Sequence, residues 1–343
     1  MRAHGPGRLN LIGEHTDYND GLCLPVALDR GVTVTARTLE GIKVNALALD
    51  LDERDSFSLD AIDRADGWHA FVRGTVAELR AADFELPGAE IEITGNVPRG
   101  SGLSSSAALE SALCLALLEL SGRADDADRL ELAKLCSRVE NDWVGARTGL
   151  LDQLAAFFCR DGHALRIDMA DLDLTHVPLE LGGWTLATLD SGASHDNASS
   201  GYNERRAECE RAAELLGVES LREATLEDAA RLPDPLDRRV RHVIEENARV
   251  DRAVAALPRG DMAELARLID LSHQSLRDLY EVSVPELETA RAEMKDAGAA
   301  GARLVGGGFG GSVMGIFPPG TTPPTRATAA VPAGAARVLR SED

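Results

Sequence analysis

The chain has few basic residues, few aromatic residues and few cysteines for its length. Of its 343 residues, 36 are Lys or Arg and 57 are Asp or Glu, so the formal net charge is −21. A protein that binds the phosphate backbone of nucleic acids needs a basic face, so this charge argues against nucleic-acid binding. It does not exclude nucleotides, because a helix terminus and one cation can hold phosphate groups inside an acidic protein.

The cysteines and the apolar runs indicate a cellular location. The five cysteines are scattered, and none forms a Cys-x-x-Cys pair (Cys23, Cys114, Cys136, Cys159 and Cys209). This usage is typical of packed thiols in a reducing compartment. No apolar run reaches the 18 residues of a membrane span, and Met1 is followed by polar, Gly and Pro residues rather than by a signal peptide. We therefore expect a cytoplasmic protein with no membrane partner.

The most informative stretch runs from Gly95 to Ala108 and reads Gly-Asn-Val-Pro-Arg-Gly-Ser-Gly-Leu-Ser-Ser-Ser-Ala-Ala. A strand pattern precedes it, and a helix pattern follows it until Gly122. Ser104, Ser105 and Ser106 occupy the expected start of this helix, where free N–H groups attract anions. The stretch predicts a cradle for nucleotide phosphates, and an ordinary capped helix is the alternative. It is not a P-loop of the Gly-Lys-Ser/Thr type, because no Lys follows the glycines.

A dense polar cluster follows a short apolar segment near the N-terminus. Arg8 precedes Glu14, His15 and Asp17, and burying these groups together is costly without a purpose. Carboxylates beside an imidazole suit the hydroxyl groups of a sugar, each of which donates and accepts a hydrogen bond. A metal site and a plain polar turn are the alternatives.

Two further acids are candidates for chemistry. Asp152 stands alone among leucines, and such surroundings tend to perturb a carboxyl pKa, as a general base requires. An N-cap or a hidden ion pair would explain it equally. Glu140 lies at the edge of the apolar face of a predicted helix from Asp125 to Trp143, as either a solvated neighbour or a placed ligand.

Aromatic and glycine residues mark three other places. Tyr202 ends a 13-residue polar loop, and its hydroxyl is available to a substrate. Trp68 begins a helical stripe and could stack on a purine, although a core role is equally consistent with its position. Five glycines between Gly306 and Gly311 predict either a close backbone approach or a very tight hairpin.

Some expectations concern structure alone. The chain is long enough for two domains of ordinary size. Residues 32–38 and 43–49 alternate in polarity and predict a β-hairpin, residues 50–66 predict an acidic loop, and the Pro- and Ala-rich sequence from Pro318 predicts a loosely attached tail.

Three blocks together resemble the galactokinase family of the GHMP kinase superfamily. They are Gly7-Arg-Leu-Asn-Leu-Ile-Gly-Glu-His-Thr-Asp-Tyr-Asn19, Pro98-Arg-Gly-Ser-Gly-Leu-Ser-Ser-Ser-Ala-Ala108 and Gly306-Gly-Gly-Phe-Gly-Gly311. The first block is specific to galactokinases, and the other two indicate only the superfamily. The resemblance implies an α+β, two-domain GHMP kinase fold. Residues 1–180 would form an N-terminal domain like domain 2 of ribosomal protein S5, and residues 181–343 a ferredoxin-like α/β domain.

The resemblance also implies a reaction, the ATP-dependent phosphorylation of the galactose 1-hydroxyl. Asp152 would take the hydroxyl proton, or act as an electrostatic positioner, with Arg8 beside it. The residues that would hold the sugar are Glu14, His15, Thr16, Asp17 and Tyr202.

For the nucleotide, the resemblance implies a second set of residues. Those that would contact ATP are Gly100, Ser101, Gly102, Leu103, Ser104, Ser105, Ser106 and Trp68. Ser106 and Glu140 would hold Mg²⁺. We expect a monomer or a weak dimer. A kinase for N-acetylgalactosamine or arabinose, and a non-catalytic galactose/ATP sensor, are the alternative functions.

Overall fold

The computed structural model describes residues 1–98, 100–146, 148–193 and 198–340. The strands in these ranges are β1 (Arg2–Asn10), β2 (Leu22–Cys23), β3 (Pro25–Leu39), β4 (Lys43–Ala48), β5 (Glu53–Ser58), β6 (Gly88–Gly95), β7 (His163–Asp168), β8 (Asp173–Pro178), β9 (Thr185–Asp190), β10 (Gly301–Leu304), β11 (Ser312–Phe317), β12 (Thr328–Ala329), β13 (Pro332–Ala333) and β14 (Arg337–Val338). The helices are α1 (Trp68–Ala81), α2 (Ser105–Leu120), α3 (Arg129–Arg138), α4 (Leu151–Phe158), α5 (Ala198–Leu216), α6 (Leu226–Ala229), α7 (Leu236–Ala256), α8 (Met262–Asp278) and α9 (Pro285–Asp296).

The first sheet carries the N-terminal half of the chain. Its strand order is β14-β1-β3-β6-β4-β5, and β13 pairs with β3 as well. Helix α2 packs on β1 and β3, and α1 and α4 lie beside it. Residues 107–118 of α2 are buried, and the loop before the helix is tied to β1 by a hydrogen bond from Arg8 N to the carbonyl of Leu103.

The second sheet has the order β10-β11-β9-β12 and carries the C-terminal half. Helices α8 and α9 pack on β10, and α7 packs on α5 and α8. A third, small sheet pairs β2, β7 and β8. The glycine-rich link between β10 and β11 therefore lies where the two halves of the chain meet, since Gly102 of the first glycine loop touches Val305 and Gly306.

Several sequence expectations are confirmed. The strand β6, the glycine–serine turn and the helix α2 follow one another as the pattern predicts. The expected helix from Asp125 begins later, at Arg129, because Asp128 caps it by accepting hydrogen bonds from the N–H groups of Leu130 and Glu131.

The expected hairpin between β3 and β4 is wrong. Strand β6 lies between them, antiparallel to β3 and parallel to β4, and β4 forms its hairpin with β5 instead. The apolar β6, with Ile91 and Ile93 buried, occupies the interior of the sheet. The acidic stretch expected to be a loop includes β5, in which Asp55 and Phe57 point inward.

The expectation of a loosely attached tail is also wrong. After Pro318 the chain adds β12 to the second sheet and then β13 and β14 to the first. Strand β14 places Val338 opposite Ala3 of β1. The end of the expected second domain thus lies on the sheet of the first, and the boundary at residue 180 stays a prediction.

Within the described ranges, no helix combines the length and the apolar character that crossing a bilayer requires. The five cysteines are buried free thiols, as their scattered positions indicate.

Candidate active site

One cavity of about 390 Å³ gathers residues from distant parts of the chain. It is lined by Arg8, Glu14, His15, Asp17, Gly100, Gly102, Ser104, Ser105, Ser106, Glu140, Thr148, Gly149, Leu151, Asp152, Tyr202, Gly306 and Gly307. Strand β1 delivers Arg8, and the turn after it delivers the three polar residues that follow. The rest come from the glycine–serine loop and the start of α2, from the π-helical turn after α3, from α4 and the residues before it, from α5, and from the glycine-rich hairpin. All three motifs of the sequence thus meet at one place.

An ion pair lies in this cavity. Arg8 Nη2 is 2.7 Å from Asp152 Oδ1, and the Arg8 side chain is almost completely buried. A second guanidinium nitrogen of Arg8 donates to the carbonyl of Gly102. Burial alone would lower the pKa of Arg8, but the nearby Asp152 more than offsets it and raises that pKa. Arg8 therefore stays a cation between the carboxylate and the glycine loop.

Glu14 links the polar turn to the glycine-rich hairpin. Its Oε1 accepts a hydrogen bond from Gly306 N at 2.8 Å and lies 3.2 Å from Arg303 Nη1. Its Oε2 accepts from Asn10 Nδ2 at 3.0 Å. These contacts fix the carboxylate, and Arg303 is fully buried beneath it.

Burial sets the protonation states of the two neighbours of Glu14. It lowers the pKa of His15 to about 3, so this imidazole is neutral near pH 7. It raises the pKa of Asp17 to about 7, helped by the like charges of Asp152 and Glu14. Asp17 also contacts Gly149 so closely that a Cβ added there would lie 2.0 Å from its Oδ2.

The glycine–serine loop has the features of an anion site. Ser104 is the N-cap of α2 in a left-handed conformation with φ of 60°, and its side chain makes no capping bond. Its hydroxyl is buried and has no hydrogen-bond partner among the residues that the structure describes. The first N–H groups of a helix have no intrahelical acceptor either. The loop therefore offers unused donors to an anion in the cavity.

Glu140 lies at the edge of this loop in a π-helical turn (Val139–Val144) that follows α3. It accepts hydrogen bonds from Ser106 Oγ at 2.8 Å, Gln153 Nε2 at 2.7 Å and Thr148 Oγ1 at 3.1 Å. Burial, then the charge of Asp152, raises its pKa. A carboxylate beside a hydroxyl is the donor set that Mg²⁺ takes from a protein when phosphates and water supply its other ligands. The pair thus fits this cation.

The described residues contain no group of three or more His, Cys, Asp or Glu side chains that could hold a metal by themselves. A metal ion here would therefore depend on a bound phosphate for several of its ligands.

Four of the expected site residues lie away from the lining of this cavity: Trp68, which lines a second cavity, and three residues of the supporting segments. Thr16 is buried, and its hydroxyl donates to the carbonyls of Gly13 and Leu22. The Ser101 hydroxyl donates to the carbonyl of Pro98, and the carbonyl of Leu103 accepts from Arg8 N. In this structure these residues shape the segments that carry the site.

Trp68 lines a second, more apolar cavity of about 510 Å³ that shares Ser105 and Ser106 with the first. Its ring N–H donates to Glu53 Oε2 at 2.7 Å, which fixes the ring at the start of α1. The two cavities thus adjoin across the start of α2.

Sequence reasoning missed a set of buried polar residues behind the cavity. His242 donates from Nε2 to the carbonyl of Glu14 at 3.2 Å, and Glu246 accepts from Gly13 N at 3.0 Å. Arg303 supports the Glu14 side chain. His242 and Glu246 lie on α7, and the only available signal was the presence of charged residues on its apolar face.

Comparisons with known proteins fit this geometry. Residues 70–160 match the GHMP kinases N terminal domain, and residues 253–333 match the GHMP kinases C terminal model. A mevalonate kinase from Methanococcus jannaschii has the same fold, with a TM-score of 0.71 at 17% identity over 99% of this chain and 98% of that one. The fold and the cavity define a small-molecule kinase of the GHMP class.

More specific matches narrow the class. Residues 1–38 match the galactokinase galactose-binding signature. A galactokinase from Thermotoga neapolitana is 41% identical over 92% of this chain and 88% of its own, and one from Roseiflexus is 44% identical over 92% and 82%. The crystal structure of a Lactococcus lactis galactokinase complexed with galactose has a TM-score of 0.90 at 32% identity, covering 98% of this chain and 95% of that one. The chain belongs to the galactokinase family.

Proposed function

We propose that this enzyme transfers the γ-phosphoryl group of ATP to the 1-hydroxyl of galactose. The observation that carries the proposal is the single cavity in which the Arg8–Asp152 ion pair, the polar turn and the glycine–serine loop converge. Phosphoryl transfer depends on placing the two reactants in line and on neutralising charge, and such a cavity supplies both.

Asp152 is the group that faces the attacking hydroxyl. Its carboxylate accepts the hydroxyl proton as the oxygen attacks the phosphorus. Arg8, held at 2.7 Å, keeps the carboxylate oriented and stabilises the negative charge that develops on the transferred group. The buried position of Arg8 makes this stabilisation stronger than it would be in water.

Glu14, His15, Asp17 and Tyr202 surround the remaining hydroxyls of the sugar. Glu14 has a carboxylate already fixed by three protein groups, so it presents its remaining lone pairs in a set direction. The raised pKa of Asp17, about 7, makes this group able to donate as well as accept a hydrogen bond. We propose Thr16 as a support of this turn.

The glycine–serine loop and the second cavity receive the nucleotide. The Ser104 hydroxyl, which has no partner among the described residues, and the start of α2 bind phosphate oxygens, and the apolar cavity beside Trp68 accepts the base. Ser106 and Glu140 would hold Mg²⁺, which would neutralise phosphate charge. Ser101 and Leu103 shape the loop.

The test is the release of ADP by the full chain with ATP and Mg²⁺. Galactose, N-acetylgalactosamine, arabinose, glucose and a sugar-free reaction are compared, the last measuring background hydrolysis. We expect turnover to be highest on galactose. Faster turnover on another of these sugars would support the proposed phosphoryl transfer but contradict galactose as the substrate. Binding of galactose without any turnover would contradict the proposed catalytic activity and favour a non-catalytic sensor.

A further inference from the structure

A continuous line of hydrogen bonds leads from the sugar cavity into the core of the C-terminal half. His15 Nδ1 lies 2.8 Å from the Tyr18 hydroxyl, which lies 3.0 Å from the Tyr280 hydroxyl. The Tyr280 hydroxyl lies 2.9 Å from the thiol of Cys209. On the other side of the imidazole, His15 Nε2 lies 3.1 Å from the carbonyl oxygen of Gly307.

The carbonyl of Gly307 and the neutral state of the His15 ring fix the direction of every hydrogen bond in this line. A carbonyl oxygen only accepts, so His15 Nε2 carries the proton, and Nδ1 of the neutral ring must accept from Tyr18. Tyr18 has then used its proton and accepts from Tyr280, which in turn accepts from the Cys209 thiol. Burial raises the pKa values of both tyrosines and raises that of Cys209 to about 11, so each donor keeps its proton.

Packing holds the line in place. Tyr280 is fully buried, and its ring centroid lies 4.7 Å from that of His15 and 4.4 Å from that of His242. His15 itself has φ of 61°, a backbone conformation that a non-glycine residue keeps only when its surroundings enforce it. Asn19 contributes by donating to the His15 carbonyl at 2.8 Å.

We infer that Tyr18 and Tyr280 are positioning residues: they fix the ring orientation and the Nε2–H tautomer of His15, and through its bond to Gly307 they hold the sugar-binding turn in place. Neither needs to touch the sugar. They act through His15, whose Nε2–H ties the polar turn to Gly307 of the glycine-rich hairpin, against which Tyr202 also packs. The effect on galactose rests on the proposed function, whereas the tautomer does not.

The kinetic test compares Tyr18→Phe, Tyr280→Phe and Cys209→Ala, which remove successive links outward from His15. We expect the KM for galactose to rise about tenfold, about threefold and little, respectively, because one hydrogen bond changes an equilibrium by this order. The kcat and the KM for ATP should change less. Thr75→Val is the control, because it removes a buried hydroxyl on α1 that takes no part in the line and has no hydrogen-bond partner among the described residues.

Equal effects of the tyrosine variants and the Thr75 variant would overturn the inference, as would losses confined to kcat. Thermal unfolding of each variant identifies any that fails to fold.

A second measurement needs neither sugar nor turnover. The ¹⁵N resonances of the His15 ring in the wild-type enzyme should show a protonated Nε2 and a hydrogen-bonded, unprotonated Nδ1. In Tyr18→Phe the Nδ1 resonance should move to the position of a nitrogen without a donor, and in Tyr280→Phe it should move part of the way. A proton on Nδ1 in the wild type would overturn the inference even if galactose is phosphorylated. If galactose is not phosphorylated, the resonances still test the line of bonds.

Discussion

The sugar side and the nucleotide side of the cavity are built in different ways. On the sugar side, Glu14 and His15 have their polar atoms bound to groups from β10, α7 and the glycine-rich hairpin before any ligand arrives. On the nucleotide side, the Ser104 hydroxyl has no partner in the described part of the chain, and burial raises the pKa of the Glu140 carboxyl. The polar groups of the sugar side have their protein partners without a ligand, whereas those of the nucleotide side gain partners when the nucleotide binds.

This difference has a physical reason. A sugar is neutral and is distinguished by the placement of its hydroxyls, so a rigid set of donors and acceptors discriminates best. A triphosphate with its cation brings its own charge, so the protein needs only free N–H groups and hydroxyls to receive it. Substitutions on the two sides should therefore fail in different ways.

The largest effect is expected where the two sides meet. Asp152→Asn removes the carboxylate that accepts the hydroxyl proton, and kcat should fall about 10²- to 10⁴-fold while galactose and ATP still bind. Steady-state ADP release gives kcat, and calorimetry gives the two affinities. A kcat close to that of the wild type would remove Asp152 from the reaction.

The next largest effect is expected on the sugar side, in the free energy of unfolding. Arg303→Met leaves the buried carboxylate of Glu14 without its cation, and the free energy of unfolding should fall by about 3–5 kcal/mol. Arg231→Ala, which breaks an exposed pair with Glu227, is the control and should cost less than about 1 kcal/mol. Denaturant unfolding without ligands measures both, and similar losses would show that the sugar side is not held as described.

Acid should weaken the same region. His242 is buried with a pKa of about 3, against 6.5 for the unperturbed group. Between these values the unfolded chain binds a proton that the folded chain does not, so stability falls as the pH falls, by about 1.4 kcal/mol per pH unit. Asp17 opposes this, because its raised pKa of about 7 makes the folded chain bind a proton that the unfolded chain has released.

The contribution of His242 can be isolated by comparing the wild type with His242→Gln. Denaturant unfolding from pH 6.5 to pH 5 should show a flatter dependence in the variant. Equal slopes for the two proteins would mean that His242 is not held neutral in the fold.

The smallest effects should separate the two ligands. Tyr202→Phe should raise the KM for galactose about tenfold and leave that for ATP nearly unchanged. Ser106→Ala should do the reverse, since this hydroxyl lies on Glu140 at 2.8 Å. Initial rates measured over both substrates give the KM values for galactose and for ATP in each variant. A variant that shifts both KM values together would contradict the separation of the two sides.

The nucleotide side could be predicted from the sequence, because its main elements are consecutive in the chain. Strand β6, the loop and α2 follow one another within about thirty residues, and glycine and serine at these positions have few other uses. Ser104, Ser105 and Ser106 line one cavity with Glu140 and Asp152, as the resemblance to the galactokinase family implied.

The residues that support the sugar side could not be predicted from a local sequence pattern. Arg303 is more than two hundred residues from its partner Glu14, and Glu246 is as far along the chain from its partner Gly13, so both contacts depend on how α7 and β10 pack. A buried charge on a helix has the same local pattern as a solvated one. The β3–β4 hairpin was wrong for the same reason, since the strand that lies between them, β6, comes from later in the chain.

The most direct test of the account is the position of the transferred phosphate. The wild-type enzyme with galactose, ATP and Mg²⁺ should yield one product in which the ³¹P nucleus couples to the anomeric proton, and Asp152→Asn should yield almost none in the same time. A phosphate on any other hydroxyl would mean that Asp152 does not face the 1-hydroxyl. The cavity would then hold the sugar in a different orientation.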